Sequence, residues 1–460
     1  MRELAALEGE FKRAGASLVV MYGRRRVGKS TLLQKAVDGR RHVYYQATRI
    51  ADADSQGLFK AAIVQALGPD PLLDALTGWE GIFAYLRNAA AGGALVVVLD
   101  EFPYLCEDNR ALPSIVQKAC DEMRRVPVPL KLVLCGSHVA FMEELLAEKN
   151  PLHGRQTCDL EVGSLSYREA AEMLPGWTAE ASLRAFGVFG GMPYYLSLMD
   201  PAEDLAGNVG HLVLDPGAPL RDEPLHLLQA ELNSPARYAS ILRAVADGMT
   251  VRGEIVNRVL QKDEQNSSIT PYIDRLERMR LLRRMYSLDV AAPEKSRNTR
   301  YFLNDPFLAF YYRFVLPNAS ALQAGHAEAV YRLSIEPHLD ELMGERFEEI
   351  CRAWAALYAQ ERLGVPAREV GKIWSKDYDV DVAGELLDGR RFAGECKWWR
   401  KQAGMNVHAD LARDAARNGY YAGQDPALLI FARNGFTPEL EQSRSDTLLL
   451  LTPADLLDHG

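Results

Sequence analysis

Gly23-Arg24-Arg25-Arg26-Val27-Gly28-Lys29-Ser30 is the stretch on which the fold turns. It satisfies the phosphate-loop pattern G-x-x-x-x-G-K-[ST] at every fixed position. The apolar run Leu18–Tyr22 precedes it and reads as a buried strand, and Thr31–Ala36 opens a helical pattern. Strand, glycine-rich turn and helix together aim backbone N–H groups and a helix N-terminus at an anion. Glycine at positions 23 and 28 lets the backbone curl round a phosphate with no Cβ in the way. The candidate phosphate contacts are Gly23, Arg24, Arg26, Val27, Gly28, Lys29, Ser30 and Thr31. Lys29 is expected to reach the β- and γ-phosphates, and the Ser30 hydroxyl to ligate Mg2+.

Working outward, Ala94–Leu99 is a solid apolar run that ends in Asp100-Glu101. Such runs mark strands buried on both faces of a parallel sheet. Acidic residues at the carboxyl end of such a strand lie where α/β sheets bind ligands. Asp100 is expected to hold Mg2+ through water, and Glu101 to orient and deprotonate an attacking water. Leu130–Cys135 reads as a further strand, tipped by Gly136-Ser137-His138. Ser137 either contacts the γ-phosphate or caps the helix that begins at Val139. Arg155 follows the loop 150–154 and is either a finger reaching a neighbouring subunit's nucleotide or a solvated arginine.

Composition sets the outer bounds. The 460 residues allow about two to four domains. The hydrophobic share is 48%, the charged share 25%, and the net charge −9, so the chain as a whole does not advertise nucleic-acid binding, although a local basic face is compatible with it. The six cysteines form no CxxC pair, which argues against a zinc site or a disulfide framework. The start Met1-Arg2-Glu3-Leu4 has no apolar signal region and no run is long enough to span a bilayer. A cytoplasmic location and no membrane partner are expected.

Beyond Val162 the pattern turns helical. Ser166-Tyr167-Arg168-Glu169 has capping-box spacing, and Gly190-Gly191-Met192-Pro193 breaks and restarts a helix. Gly191 and Pro193 are expected at the base of a helical lid over the nucleotide, with Pro193 a candidate contact. Three helical patterns follow, Tyr238–Asp247, Arg252–Leu260 and Ile269–Met279, and then two strand patterns, Leu281–Tyr286 and Thr299–Leu303, joined by Ala291–Asn298. Three helices and a β-hairpin make a winged-helix layout. Arg275, Arg278, Arg280, Arg283 and Arg284 make the third helix and its exit basic; Lys295, Arg297 and Arg300 do the same for the wing. The set reads either as a DNA-phosphate face or as solvated arginines on a packing module.

A second constellation lies near the C-terminus. Asp377–Ala383 reads as a strand, Asp388-Gly389 as a hairpin turn, and Arg391–Trp398 as the return strand. Glu395 and Lys397 are two apart and share a face, with Asp381 opposite that region. An Asp followed by Glu-x-Lys suits metal-dependent phosphodiester cleavage. Asp381 and Glu395 would bind Mg2+, Lys397 would position water or neutralise phosphate, and Glu348 on the preceding helix is a further candidate ligand. The alternative is an ordinary charged hairpin face.

The chain resembles the archaeal-type ATPases, a branch near AAA+ and STAND NTPases. The resemblance rests on Arg2-Glu3-Leu4, the run from Tyr22 to Ser30, Leu99-Asp100-Glu101-Phe102-Pro103-Tyr104-Leu105, Cys135-Gly136-Ser137, Gly190–Leu196 and Asp305–Tyr311. Such proteins commonly end in a domain similar to PD-(D/E)xK restriction-type nucleases, whose motif Asp381, Glu395 and Lys397 match, with Glu348 as the frequent upstream acid. His138 departs from the small polar residue that many relatives carry there. The resemblance implies an α/β fold built of a P-loop NTPase core with a parallel sheet at 1–165, a helical lid at 166–232, a winged helix at 233–318 and a restriction-nuclease-like α/β domain at 330–460. It implies ATP and Mg2+ as cofactors, and DNA as partner, with homo-oligomer formation open. The leading expectation is an ATPase that controls a DNA-directed nuclease-like module. Alternatives are a STAND-like signalling or transcription-type switch with a non-cleaving tail, and a toxin-like effector.

Overall fold

The computed structural model describes residues 2–232, 234–260, 269–290, 299–375 and 378–458. The expected basic loop at 291–298, with Lys295 and Arg297, lies outside the described residues, as does Asp377. The chain divides into two units, Met1–Ser164 and Leu165–Gly460.

In the first unit the three apolar runs become the central strands of a five-stranded sheet made of β1 (Ser17–Tyr22), β2 (His42–Gln46), β3 (Leu95–Asp100), β4 (Leu130–Gly136) and β5 (Cys158–Glu161). They lie in the order β2-β3-β4-β1-β5 and every pair is parallel. β1, β3 and β4 are buried at every residue, while the edges β2 and β5 alternate in exposure. That difference is why the central strands read as unbroken apolar runs. Leu18, Val20, Val97, Leu99, Leu132 and Leu134 face one core, packed by Phe59, Trp79, Phe83 and Val116 from the helices Asp52–Leu67, Gly78–Ala90 and Leu112–Arg125. The alternate residues Val19, Met21, Val96, Val98 and Val133 are buried as well, so both faces of the sheet are covered. The order brings the carboxyl ends of β1, β4 and β3 side by side.

The second unit holds the rest. The capping box expected at Ser166 is in place, with Ser166 and Glu169 bonded reciprocally at the start of Tyr167–Glu172. Pro193 occupies the first turn of Pro193–Ser197. Gly191 is forced by close approach: a Cβ there would lie 1.8 Å from the Leu165 carbonyl oxygen. Helices Pro235–Ala246, Arg252–Val259 and Thr270–Arg278 precede an antiparallel pair, β6 (Leu282–Tyr286) and β7 (Thr299–Leu303).

The helix Glu336–Leu363 leads into a mixed sheet of β8 (Ala367–Trp374), β9 (Asp379–Leu386), β10 (Arg391–Lys397), β11 (Ala427–Ala432) and β12 (Leu448–Leu451). The order is β12-β11-β10-β9-β8, with β8-β9 and β9-β10 antiparallel and the other pairs parallel. Phe347, Ile350 and Trp354 of the long helix pack on Val382, Phe392, Leu429 and Phe431. Val407 and Leu411 of the helix Met405–Arg417 pack on the other face, against Val380, Ala393 and Ile430. The Asp388-Gly389 turn joins β9 to β10 as expected, with Gly389 at φ 86°. β9 begins at Asp379, later than the strand expected from Asp377.

Candidate functional site

Two groups of chemistry-bearing side chains stand out, one in each unit. In the first, the chain leaves β1 at Gly23, where a Cβ would meet the Val162 carbonyl oxygen at 2.1 Å. It passes through Arg26 at φ 70° and Gly28 at φ 88° and enters the helix Lys29–Val37. Two left-handed residues bend the loop back on itself, the geometry that turns successive N–H groups inward. The Lys29 ammonium is 6% exposed and donates to the carbonyls of Gly23 at 2.8 Å and Arg24 at 3.0 Å, across the mouth of the loop. Burial is the main influence on it and pulls its pKa below the ordinary lysine value, against the opposing pull of nearby Cys135, Glu101 and Asp100. Val27 is buried under the loop, Arg24 is half-buried, and Arg25, Arg26 and Thr31 are exposed.

The Ser30 hydroxyl donates to Asp100 Oδ2 at 2.8 Å, joining the helix start to the tip of β3. Asp100 is buried and also accepts from the Tyr44 hydroxyl at 2.7 Å and the Glu101 N–H at 3.0 Å. Burial and the Asp100 hydrogen bond push the Tyr44 pKa up, so Tyr44 stays a donor. Glu101 sits at φ 54°, a left-handed conformation rare outside glycine, asparagine and aspartate. That bend directs its carboxylate onto Ser137: Oε2 accepts from the Ser137 hydroxyl at 2.8 Å and N–H at 3.2 Å. Gly136 is required beside it, because a Cβ would meet Met142 Sδ at 2.7 Å and Pro103 Cδ at 2.8 Å.

The structure thus brings together Lys29, Ser30, Asp100, Glu101 and Ser137. Ser137 binds the carboxylate; the helix Val139–Leu146 has His138 at its cap position and no side-chain cap bond. Arg155 Nε lies 3.5 Å from Asp121 Oδ1, and its Nη1 donates to the His153 carbonyl at 3.1 Å. Pro193 belongs to the other unit. Two participants escape sequence reading. Tyr44 reaches Asp100 because β2 lies beside β3, with Tyr44 opposite Val98. Tyr104 accepts from Arg25 at 2.6 Å and ties the loop to the helix Phe102–Asp108. A tyrosine in a strand gives no hint of its neighbour until strand order is known.

The residues fit a nucleotide-bound Mg2+: a hydroxyl and a buried carboxylate adjoin, and phosphates and water complete the coordination of such an ion.

In the second unit, the β9-β10 register pairs Gly394 with Val382, which sets Glu395 and Asp381 just beyond that pair on neighbouring strands. Glu395 forms a short ion pair with Lys397. Burial, helped by Asp381, raises the Glu395 carboxyl to about 7 despite Lys397. Burial alone would lower the Lys397 pKa; Glu395 outweighs it and the net shift is upward. Asp381 and Glu348 meet instead at a residue the sequence did not single out. Lys372 Nζ lies 2.7 Å from Glu348 Oε2, 2.9 Å from Asp381 Oδ1 and 3.2 Å from Asp379 Oδ2. Arg352 donates to Glu348 Oε2 at 3.3 Å and to the Asp381 carbonyl at 2.7 Å. Burial raises the Glu348 carboxyl, and Asp381 adds to it. Among the described residues no three His, Cys, Asp or Glu side chains are grouped to hold a metal ion. The expected set of Glu348, Asp381 and Glu395 is split, because two acids converge on Lys372 and the third pairs with Lys397. These residues as they stand do not fit a resident metal.

The basic face around β6 also differs from expectation. Arg283 forms a short ion pair with Glu349, and Arg284 is held by Glu277 at 3.1 Å and 2.9 Å. Arg278 is exposed, with Nε donating to the Asp274 carbonyl at 3.4 Å. Arg300 stacks over Trp374 at 4.8 Å. Arg283 and Arg284 are therefore neutralised within the chain. Among the described residues no helix is long and apolar enough to cross a membrane.

Comparison with known proteins bears on the first unit most directly. Residues 1–199 match a family model described as an ATPase domain predominantly from Archaea. Residues 311–407 match one described as Archaea bacterial proteins of unknown function. An uncharacterized protein of Methanocaldococcus jannaschii, MJECL04, is 29% identical over 433 residues, covering 91% of this chain and 93% of its own. Among solved structures, a Walker-type ATPase of Pyrococcus abyssi, PABY2304, is 20% identical with a TM-score of 0.49, covering 68% of this chain and 95% of that one. The Aeropyrum pernix ORC2 protein is 16% identical with a TM-score of 0.44, covering 70% and 93%. Residues 1–199 are thus similar to an ATPase domain found predominantly in Archaea.

Proposed function

We propose that the protein binds and hydrolyses ATP in its first unit and uses nucleotide state to control a DNA-directed second unit. The observation that carries the reading is the convergence of Lys29, Ser30, Asp100, Glu101 and Ser137 at the ends of three adjacent strands. The loop from Gly23 to Thr31 cradles the phosphates with its N–H groups, and Lys29 exchanges its carbonyl partners for phosphate oxygens. Ser30, and Asp100 through water, would hold Mg2+, which would supply charge neutralisation to the phosphates. Glu101 takes the proton of the attacking water, and Ser137 holds Glu101 in place for it. Tyr44 keeps Asp100 aimed at Ser30.

On this reading Gly190–Pro193 is a hinge within the second unit, and Arg155 acts on the nucleotide of a neighbouring copy after leaving Asp121. The helices from Pro235 to Arg278 with β6 and β7 act as a winged helix, and Arg275, Arg278 and Arg280 face DNA phosphates. The division at 1–165, 166–232, 233–318 and 330–460 belongs to the same proposal, as does a cytoplasmic setting. The expected metal-dependent nuclease at Asp381, Glu395 and Lys397 is left out of this reading, because Lys372 holds Asp381 and Lys397 holds Glu395.

The test combines ATP turnover with fluorescence anisotropy of labelled duplex and single-stranded DNA in ADP and in a non-hydrolysable ATP analogue. Turnover that depends on Glu101, and DNA affinity that changes with nucleotide, are expected. DNA affinity identical in both nucleotides would remove the coupling, and absence of turnover would remove the ATPase.

A further inference from the structure

The carboxylates of the tail already have a cation, and it is part of the chain. Lys372 comes from β8 and is 8% exposed. Its ammonium has three N–H donors, and three carboxylates surround it, at 2.7 Å (Glu348), 2.9 Å (Asp381) and 3.2 Å (Asp379). The remaining Asp381 oxygen, Oδ2, accepts from the Cys396 N–H at 3.0 Å. The Glu348 oxygen that meets Lys372 also accepts from Arg352 at 3.3 Å. Asp381 therefore has no oxygen free of a donor, and the acids carry two cationic partners before any ion arrives.

A divalent ion needs several of these oxygens at about 2.0–2.6 Å, without an N–H between them. With Lys372 in place it would also stand beside a fixed positive charge in a poorly solvated site, where like charges repel strongly. We propose that Lys372 is a built-in counter-cation that takes the place of a metal at Glu348 and Asp381, so that the tail works without a divalent ion. Asp381 and Glu348 then hold β8, β9 and the helix Glu336–Leu363 together through one ammonium, and do not activate water. This decides against the nuclease reading of the tail and is independent of whether the first unit hydrolyses ATP.

The test is Mn2+ binding to the full chain without nucleotide, read by electron paramagnetic resonance of free Mn2+. All variants carry Asp100→Asn, which removes the carboxylate of the first unit from the count. The parent is expected to bind no Mn2+ that depends on Asp381. Lys372→Met, which keeps the side-chain length and removes the charge, should gain one Mn2+ site at least about tenfold tighter than the parent's binding. Adding Asp381→Asn should abolish that site. A Mn2+ ion bound by the parent and lost with Asp381→Asn would overturn the proposal, because the lysine would then yield to metal. No gained site in a folded Lys372→Met would overturn it too, because the acids would not be a cation site. Should Lys372→Met fail to fold, the parent against Asp381→Asn decides: Asp381-dependent Mn2+ overturns the proposal, and its absence supports it.

Discussion

Lys29 and Glu101 sit at opposite ends of one small arrangement and should fail in different ways. Lys29 is the buried ammonium that can give charge-assisted bonds to phosphate, each worth about 1.5–3 kcal/mol. Lys29→Ala should therefore weaken ATP binding by about 10- to 100-fold, measured by equilibrium titration. Glu101 touches Ser137 and not the loop in this arrangement. Glu101→Gln should leave ATP affinity within about twofold and lower single-turnover hydrolysis by about 10²–10⁴, the span of a lost general base. Unchanged hydrolysis would mean that another group takes the proton. The left-handed backbone at Glu101 is part of this design, since an extended residue would carry the carboxylate away from β4.

At the scale of elements, the arginines near β6 separate into two kinds. Arg278 is exposed on the helix Thr270–Arg278, whereas Arg283 is committed to Glu349 of the long helix. Arg278→Glu should weaken DNA binding and lower its salt slope by about one or more, with thermal stability unchanged. Arg283→Glu should instead act on the fold. It sets two carboxylates together in place of an ion pair, and a destabilisation of about 3 kcal/mol is expected by chemical denaturation. Equal effects of both on DNA would restore Arg283 to the binding face. Gly191 makes a second prediction of this kind: Gly191→Ala drives a methyl into the Leu165 carbonyl and should cost about 1–3 kcal/mol, because backbone must move on both sides. The restart of the helix at Pro193 was legible in Gly190-Gly191-Met192-Pro193; the reason for Gly191 was not, since Leu165 is remote in sequence.

For the molecule as a whole, a pH signature gathers on the acids of the second unit's tail. Glu395 is raised from its ordinary 4.5 to about 7, chiefly by burial, and Glu348 and Asp379 are raised for the same first reason. A carboxyl whose folded pKa exceeds its unfolded one binds its proton more tightly when folded. Its stabilising contribution is complete below about 4.5 and is lost as pH rises through about 7. Denaturation of the full chain at pH 5 and pH 8 should show a less stable second unit at pH 8. Glu395→Gln should flatten that slope, and an unaltered slope would assign it to other groups. Lys295 and Arg297 of the expected wing lie outside the described residues and Arg300 lies over Trp374, so the DNA reading rests on the helix face.

The first unit's three central strands and its phosphate loop are written in the sequence. Strands buried on both faces must be apolar throughout, and a loop that wraps phosphate needs its glycines and lysine at set spacing, so both are written locally. The same holds for the Asp388-Gly389 turn and for the Ser166 capping box. In the tail, the hairpin β9-β10 was legible from its turn and its alternating acids, while β8, β11 and β12 were not singled out. Partnership between side chains came from the fold. Tyr44 reaches Asp100, and Lys372 reaches Glu348 and Asp381, because strand order and register carry one strand's side chain to its neighbour's. An acid's meaning as a metal ligand or as half of an ion pair depends on which cation lies within about 3 Å of it, and no spacing along the chain encodes that distance.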